Sequence, residues 1–378
     1  MSNGNDKISP EKSGNLLKSS YFTNYMKGVK GEQDGMTVSK NIQSNKQNPI
    51  PRRKKLAIDD YVQGVINGDR AIIAQAITLV ESNLPKHIEM AQQVLKQLIP
   101  YTGKSIRIGF TGVPGAGKST LIESFGMMLC EENHRVAVLA VDPSSSVSKG
   151  SILGDKTRME QLSRHPHAYV RPSPSSGTLG GVTRKSREIL LIFEAAGYDV
   201  IVVETIGVGQ SEIAVRSMVD FFLVIMLTGA GDELQGMKKG VMELADAIFI
   251  NKADGENKQA ALNVKVEYNR LLHFLQPATE GWETRAFAVS ALTGAGLDEI
   301  WSIIEIFHKK TNESGIFNKR RQKQTLDWLH YMVEEYLRVQ FYTHPKVTKD
   351  LPQIEQAVVE GTLSVTMAAK ELLKNVEY

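Results

Sequence analysis

The chain has 378 residues, 42% of them hydrophobic and 23% charged, with a net charge of +3 and one cysteine. That length holds one large domain or two ordinary ones, and the composition is that of a globular protein with a sizeable core. The lone Cys130 excludes an intrachain disulfide and any Cys-rich metal site, and the longest strongly apolar run, Phe221 to Leu227, falls far short of the roughly 20 residues that span a membrane.

Residues 1–55 carry eleven Lys/Arg and four Asp/Glu, +7 of the net +3, which leaves −4 for the remainder. Their Ser, Asn, Gln and Gly content and their lack of an apolar period predict a solvated, disordered basic leader rather than a polyanion-binding tail. The body is not basic, so nucleic-acid binding gains no support from it. The opening MSNGNDKISPEK has no apolar h-region, and four acids precede the first arginine, Arg52. Neither a secretory signal nor a mitochondrial transit peptide is expected, and the protein reads as cytoplasmic.

Residues 56–100 read as a small helical cap. Ile58, Val62 and Ile66 share one helical face that Gly68 ends; Asp69 can cap a second helix with Ile72, Ile73, Ile77 and Val80 as its stripe. A third follows Pro85 through Ile88, Ala91, Val94 and Leu98. Residues 101–309 then alternate short apolar runs with helical stretches. The runs Ile106–Phe110, Val136–Val141, Val200–Val203, Phe221–Leu227, Ala247–Ile250 and Ala286–Val289 read as strands. The expected fold is α/β: a mostly parallel sheet covered by helices on both faces, with functional residues where strands end. Residues 310–378 read as helical, with Leu326, Leu329, Met332 or Val333, and Tyr336 or Leu337 at helical spacing and a break at His344-Pro345. Such a helix either forms an oligomer arm or packs back on its own domain.

Gly112-Val113-Pro114-Gly115-Ala116-Gly117-Lys118-Ser119 follows one of these strands and opens a helix, the context a P-loop requires. The glycines let backbone N–H groups face a phosphate chain, and the helix N-terminus adds a positive dipole. Lys118 then bridges the β- and γ-phosphates, the Ser119 hydroxyl ligates Mg²⁺, and Thr120 continues the helix beside them. Asn251-Lys252-Ala253-Asp254 comes directly after the strand Ala247–Ile250. A carboxylate at Asp254 can accept from both N1–H and the 2-amino group of guanine, a pair adenine lacks. Ser290-Ala291-Leu292 after the next strand offers a backbone N–H to guanine O6. The ordered trio points to GTP and GDP.

Between these motifs lie the candidates for the γ-phosphate and metal. Glu204-Thr205-Ile206-Gly207 ends the strand Val200–Val203, with a Glu where ordinary GTPases carry Asp and with Gly207 offering its N–H to the γ-phosphate. Asp142 ends another strand and Asp155 stands in Gly154-Asp155-Lys156. Three carboxylates beside a P-loop suit Mg²⁺, which takes hard oxygen ligands. Lys118, Asp142, Asp155 and Glu204 are thus the catalytic set. Val208 occupies the place where many small GTPases orient water with Gln, and Gln210 is offset, so slow hydrolysis that a partner accelerates is expected.

Several stretches together resemble the MeaB-type GTPases of the SIMIBI class of P-loop proteins. They are Val141-Asp-Pro-Ser-Ser145, Gly150-Ser-Ile-Leu-Gly-Asp-Lys-Thr-Arg-Met159, Arg171-Pro-Ser-Pro-Ser-Ser-Gly-Thr-Leu-Gly-Gly-Val182, Glu204-Thr-Ile-Gly-Val-Gly-Gln-Ser-Glu212 and Gly229-Ala-Gly-Asp-Glu-Leu-Gln-Gly-Met-Lys-Lys-Gly240. The likeness covers about residues 56–378. It implies a G-protein chaperone of adenosylcobalamin-dependent methylmalonyl-CoA mutase or a relative such as isobutyryl-CoA mutase. It also implies a homodimer with a C-terminal helical dimerisation arm, and an additional switch loop in which Asp232, Glu233, Gln235 and Lys238 couple nucleotide to client. The loop Ser144-Ser-Ser-Val-Ser-Lys149 departs from the Pro, Phe and Gly common in relatives, and Thr-Ile-Gly replaces Thr-Val-Gly. Two other readings compete. A metal-insertion GTPase of the same class needs a Cys- or His-rich loading motif, whereas His165 and His167 flanking Pro166 make a poor pair. A small-molecule kinase needs an acceptor pocket and a base; a module that holds GTP without turnover would show no hydrolysis.

Overall fold

The computed structural model describes residues 56–141, 159–172, 179–205, 211–229 and 240–376. The basic leader, Asp142, Asp155, Gly207, and the expected switch residues Asp232, Glu233, Gln235 and Lys238 lie outside them. The chain divides into two compact units, residues 1–97 and 98–378.

In the first unit, α1 (Ile58–Ile66), α2 (Arg70–Glu81) and most of α3 (Pro85–Leu98) follow the apolar periods of the sequence. Asp69 caps α2 by accepting from the N–H groups of Ala71 at 2.8 Å and Ile72 at 3.2 Å. The backbone turns between α1 and α2 at Gly68, where φ is 72°. Val62, Val65, Ile73, Ile77 and Val80 are buried.

The second unit is built on seven parallel strands: β1 (Ile106–Gly112), β2 (Val136–Val141), β3 (Ala168–Pro172), β4 (Val200–Thr205), β5 (Phe221–Met226), β6 (Ala247–Ile250) and β7 (Arg285–Ala288). Their order is β3-β2-β4-β1-β5-β6-β7. Strands β2, β4 and β5 are buried at every position, as a parallel sheet covered on both faces demands of its Val- and Ile-rich runs. Alternate side chains divide between the faces. Ile108, Phe110, Val138, Val202 and Leu223 pack under Leu121 and Phe125 of α4 (Lys118–Glu131) and Ile300, Ile304 and Phe307 of α9 (Leu297–Glu313). The other face takes α6 (Leu179–Ala195), whose Phe193 ring meets Tyr169 and Tyr198, and α7 (Ser211–Arg216), whose Val215 lies against Gly109. A short α5 (Glu160–Arg164) precedes β3, and α8 (Lys258–Leu272) precedes β7. Cys130 is buried in α4, and burial pushes its thiol up to about 11.

Six strands match the apolar runs; β3 does not, because its five residues end in Arg171-Pro172. Proline has no N–H to give a ladder and is tolerated on an edge strand. Strand β3 pairs on one side only, with β2.

After the sheet come α10 (Ile316–Thr343), α11 (Pro345–Val359) and α12 (Val365–Lys374). Helix α10 is 28 residues long, and Phe317 is its one buried residue. Leu326, Leu329, Val333, Tyr336 and Leu337 are each about half exposed along it. Its first turns are anchored to the sheet. Arg321 pairs with Asp220 at 2.6 Å, Arg320 donates to the Asp220 carbonyl, and Gln324 donates to the Val219 carbonyl at 2.8 Å. No described helix is long and apolar enough to cross a membrane.

Candidate nucleotide site

Parallel strands place all their C-terminal ends on one edge, and the loops after β1, β6 and β7, the end of β4 and Thr228 beyond β5 meet there. The first is the turn from β1 into α4. Gly112 has φ 154°, and a Cβ on it would stand 2.3 Å from the Ile225 carbonyl oxygen, so the strand ending admits no side chain. Gly117 precedes α4 in the left-handed region at φ 81°, and a Cβ there would meet the Asn251 amide at 2.7 Å. Only glycine serves at either point. Lys118 is buried, and its Nζ donates to the carbonyls of Gly112 at 2.8 Å and Val113 at 3.2 Å. The ammonium is therefore folded over the loop, with Pro114 and Gly115 exposed at its tip. Ala116 is buried beneath and Thr120 lies exposed on the first turn of α4.

Glu204 reaches this loop from the penultimate residue of β4. It is 4% exposed, and its Oε1 accepts from the Ser119 hydroxyl at 2.9 Å. The next residue, Thr205, bonds Thr111 of β1 hydroxyl to hydroxyl at 2.8 Å, tying the two strand ends together. Ser119 and Glu204 form a hard-oxygen pair of the kind magnesium takes, at the N-terminus of α4. The residues present fit that ion. Asp142 would follow the last residue of β2, which pairs with Thr205.

Asn251 holds three motifs together. It is 1% exposed; its Nδ2 donates to the Ala116 carbonyl at 2.8 Å, and its Oδ1 accepts from the Ala291 N–H at 3.1 Å. The phosphate loop, the loop after β6 and the loop after β7 thus share one carboxamide. Lys252 stands at φ 61°, and the Ala253 N–H donates to Val289 O at 2.9 Å. The Asp254 carboxylate is held by the Ser290 hydroxyl, which also accepts from the Thr293 N–H at 3.1 Å. Leu292 is 82% exposed beside them. Three contacts have no signal in the motifs themselves: Thr111 with Thr205, Ser124 Oγ donating to the Ala291 carbonyl at 2.8 Å, and Thr228 Oγ1 donating to Asn257 at 2.7 Å.

Chemically, this edge offers backbone N–H groups and one lysine to phosphates, two oxygens to a hard cation, and a fixed carboxylate to a base edge. Residues 73–346 match the family model described as methylmalonyl-CoA mutase-associated GTPase MeaB. The chain is similar to the GTPase ArgK of Escherichia coli, 46% identical over 313 residues that cover 83% of this chain and 95% of that one. It is similar also to the mitochondrial methylmalonic aciduria type A homolog of Mus musculus, 44% identical over 327 residues, 84% of this chain and 79% of that one. A crystal structure titled LAO/AO transport system kinase superposes with a TM-score of 0.69 at 38% identity, covering 85% of this chain and 98% of the other.

Proposed function

The chain belongs to the MeaB family of methylmalonyl-CoA mutase-associated GTPases, and on that premise we propose that it gates adenosylcobalamin loading into an acyl-CoA mutase and protects that enzyme. The client is methylmalonyl-CoA mutase or a relative such as isobutyryl-CoA mutase. The observation that carries the reading is the Asn251 carboxamide. Because it bonds the phosphate loop and the loop after β7 from the loop after β6, nucleotide binding at the base and at the phosphates would bear on one carboxamide.

In this reading Lys118 exchanges the carbonyls of Gly112 and Val113 for β- and γ-phosphate oxygens. Ser119, with Glu204, Asp142 and Asp155, holds Mg²⁺, which when bound supplies charge neutralisation on the phosphates. Gly207 reads the γ-phosphate, and Asp232, Glu233, Gln235 and Lys238 pass its loss to the client. With Val208 in place of a water-orienting glutamine, hydrolysis is slow until the client accelerates it. A GTP-dependent pull-down with cobalamin-dependent acyl-CoA mutases, scored for stimulated phosphate release, tests this. Binding in the GTP state and faster release are expected; no binding to any such mutase in either nucleotide state ends the chaperone reading. The kinase named in the solved relative would pass the γ-phosphate to an acceptor other than water, and inorganic phosphate equal to the GDP formed separates the two.

The long α10 is the proposed dimerisation arm. A stripe of Leu326, Leu329, Val333, Tyr336 and Leu337 at three- and four-residue steps is the pattern of a helix that buries one face against a partner. Sedimentation of the purified chain as a dimer is expected, and Leu329→Glu with Val333→Glu shifts it to monomer. A monomer before any substitution removes this part of the proposal.

A further inference from the structure

Asn257 ends the turn Gly255–Asn257 and stands directly before α8. An asparagine there ordinarily spends its side chain on the first free N–H groups of its helix. This one makes no such capping bond. Its carboxamide instead lies between two strand-end loops: Nδ2 donates to the Lys252 carbonyl at 2.7 Å, and Oδ1 accepts from the Thr228 hydroxyl at 2.7 Å. The orientation is fixed by chemistry, since a carbonyl can only accept and the amide nitrogen must therefore face Lys252. Lys252 itself is one of two non-glycine residues at positive φ among the described residues, the other being Asn133. A lysine in the left-handed region is sterically opposed and persists when surrounding bonds determine it. The same bend is closed again by the Asn257 N–H, which donates to the Asp254 carbonyl at 3.1 Å. Asn257 therefore grips both ends of the three-residue segment that ends in Asp254.

We propose that Asn257 is a positioning residue for guanine selection: its carboxamide holds Lys252 in the left-handed conformation and so aims the Asp254 carboxylate at the base edge. Thr228, two residues beyond β5, fixes the carboxamide from the opposite side. The inference rests on the reading of Asp254 as the base-recognising group, and its test separates the two.

Inosine lacks the 2-amino group, so it offers Asp254 one hydrogen bond where guanine offers two. The ratio of guanosine to inosine diphosphate affinity, measured by calorimetry on the full chain, reports the aim of Asp254 and not merely the integrity of the loop. Asn257→Ala is expected to lower guanosine diphosphate affinity about three- to tenfold. Inosine diphosphate affinity falls less, and the ratio shrinks. Glycine takes positive φ without steric cost. In a Lys252→Gly background the same Asn257→Ala change should therefore move the ratio much less. Thr228→Val, which leaves the bond to Lys252 in place, gives a smaller loss in the same direction and carries the test if Asn257→Ala fails to fold. An unchanged ratio in folded Asn257→Ala overturns the proposal, as does an equal loss in the Lys252 and Lys252→Gly backgrounds. An unsubstituted chain that does not prefer guanosine to inosine diphosphate overturns the reading of Asp254, and the positioning role falls with it.

Discussion

Asp254→Asn is expected to weaken guanosine diphosphate binding about a hundredfold or more while raising the affinity for xanthosine diphosphate, as read by competition against a fluorescent nucleotide. Hydrogen bonds to a charged acceptor contribute about 1.5–3 kcal/mol each, and guanine would lose one of two and gain a donor facing a donor. Xanthine carries a carbonyl at C2, so the asparagine amide meets an acceptor there while its oxygen still accepts from N1–H. The structure gives the exchange a fixed frame. The Asp254 side chain is held by the Ser290 hydroxyl, and Ser290 is fully buried, so the replacement amide is presented in the same place. Unchanged preference for guanine after the substitution would remove Asp254 from base recognition.

The phosphate loop and the Asn251–Asp254 turn are legible in the sequence because their chemistry depends on neighbours a few residues apart. Gly112 and Gly117 are needed by the local backbone, and a strand before and a helix after are visible as apolar patterns. The parallel fold follows for the same reason, from runs such as Phe221–Met226 separated by helical periods. What the residues do to one another across the sheet is a different matter. The Ser124 hydroxyl reaches Ala291 across 167 positions and Thr111 meets Thr205 across 94, and both depend on the order β3-β2-β4-β1-β5-β6-β7, which apolar period does not specify. Asn257 stands at the N-cap of α8 but spends its carboxamide on Lys252 and Thr228, a use that no pattern in the sequence marks. Arg320 and Arg321 lie largely buried against the sheet, and nothing in the helical period of that segment marks them.

That burial sets the second large expectation: Arg321→Met destabilises the chain by about 3–5 kcal/mol in denaturant unfolding, because it takes from the buried Asp220 carboxylate the guanidinium that pairs with both its oxygens. Arg321 donates to both oxygens of Asp220, from Nε at 2.8 Å and from Nη2 at 2.6 Å, and a further nitrogen lies 3.6 Å from Glu194. The two carboxylate side chains are each 1% exposed. Asp220 also accepts from the Arg107 N–H at 2.8 Å, and Glu194 from Arg107 Nε at 2.8 Å and the Ser105 hydroxyl at 2.6 Å. Burial by itself would raise the Glu194 carboxyl; the Arg107 guanidinium, with Arg321 and Ser105, outweighs it and holds the group below the usual carboxylate range. A depressed folded value means that Glu194 stabilises the fold above its unfolded value and that this contribution disappears as pH falls through the folded one. The unsubstituted chain should therefore lose stability as the pH drops below about 4.3, the unfolded reference for Glu. In Arg321→Met one source of the depression is gone, so the loss on acidification is smaller and is complete at a higher pH, while its onset, set by the unfolded value, stays where it was. Adding Asp220→Asn removes one uncompensated charge and should recover part of the deficit at neutral pH, a recovery that simple loss of packing would not show. If Arg321→Met unfolds at the same denaturant concentration as the parent, the network does not anchor α10, and the arm would have to be held by the apolar contacts of Phe317 instead.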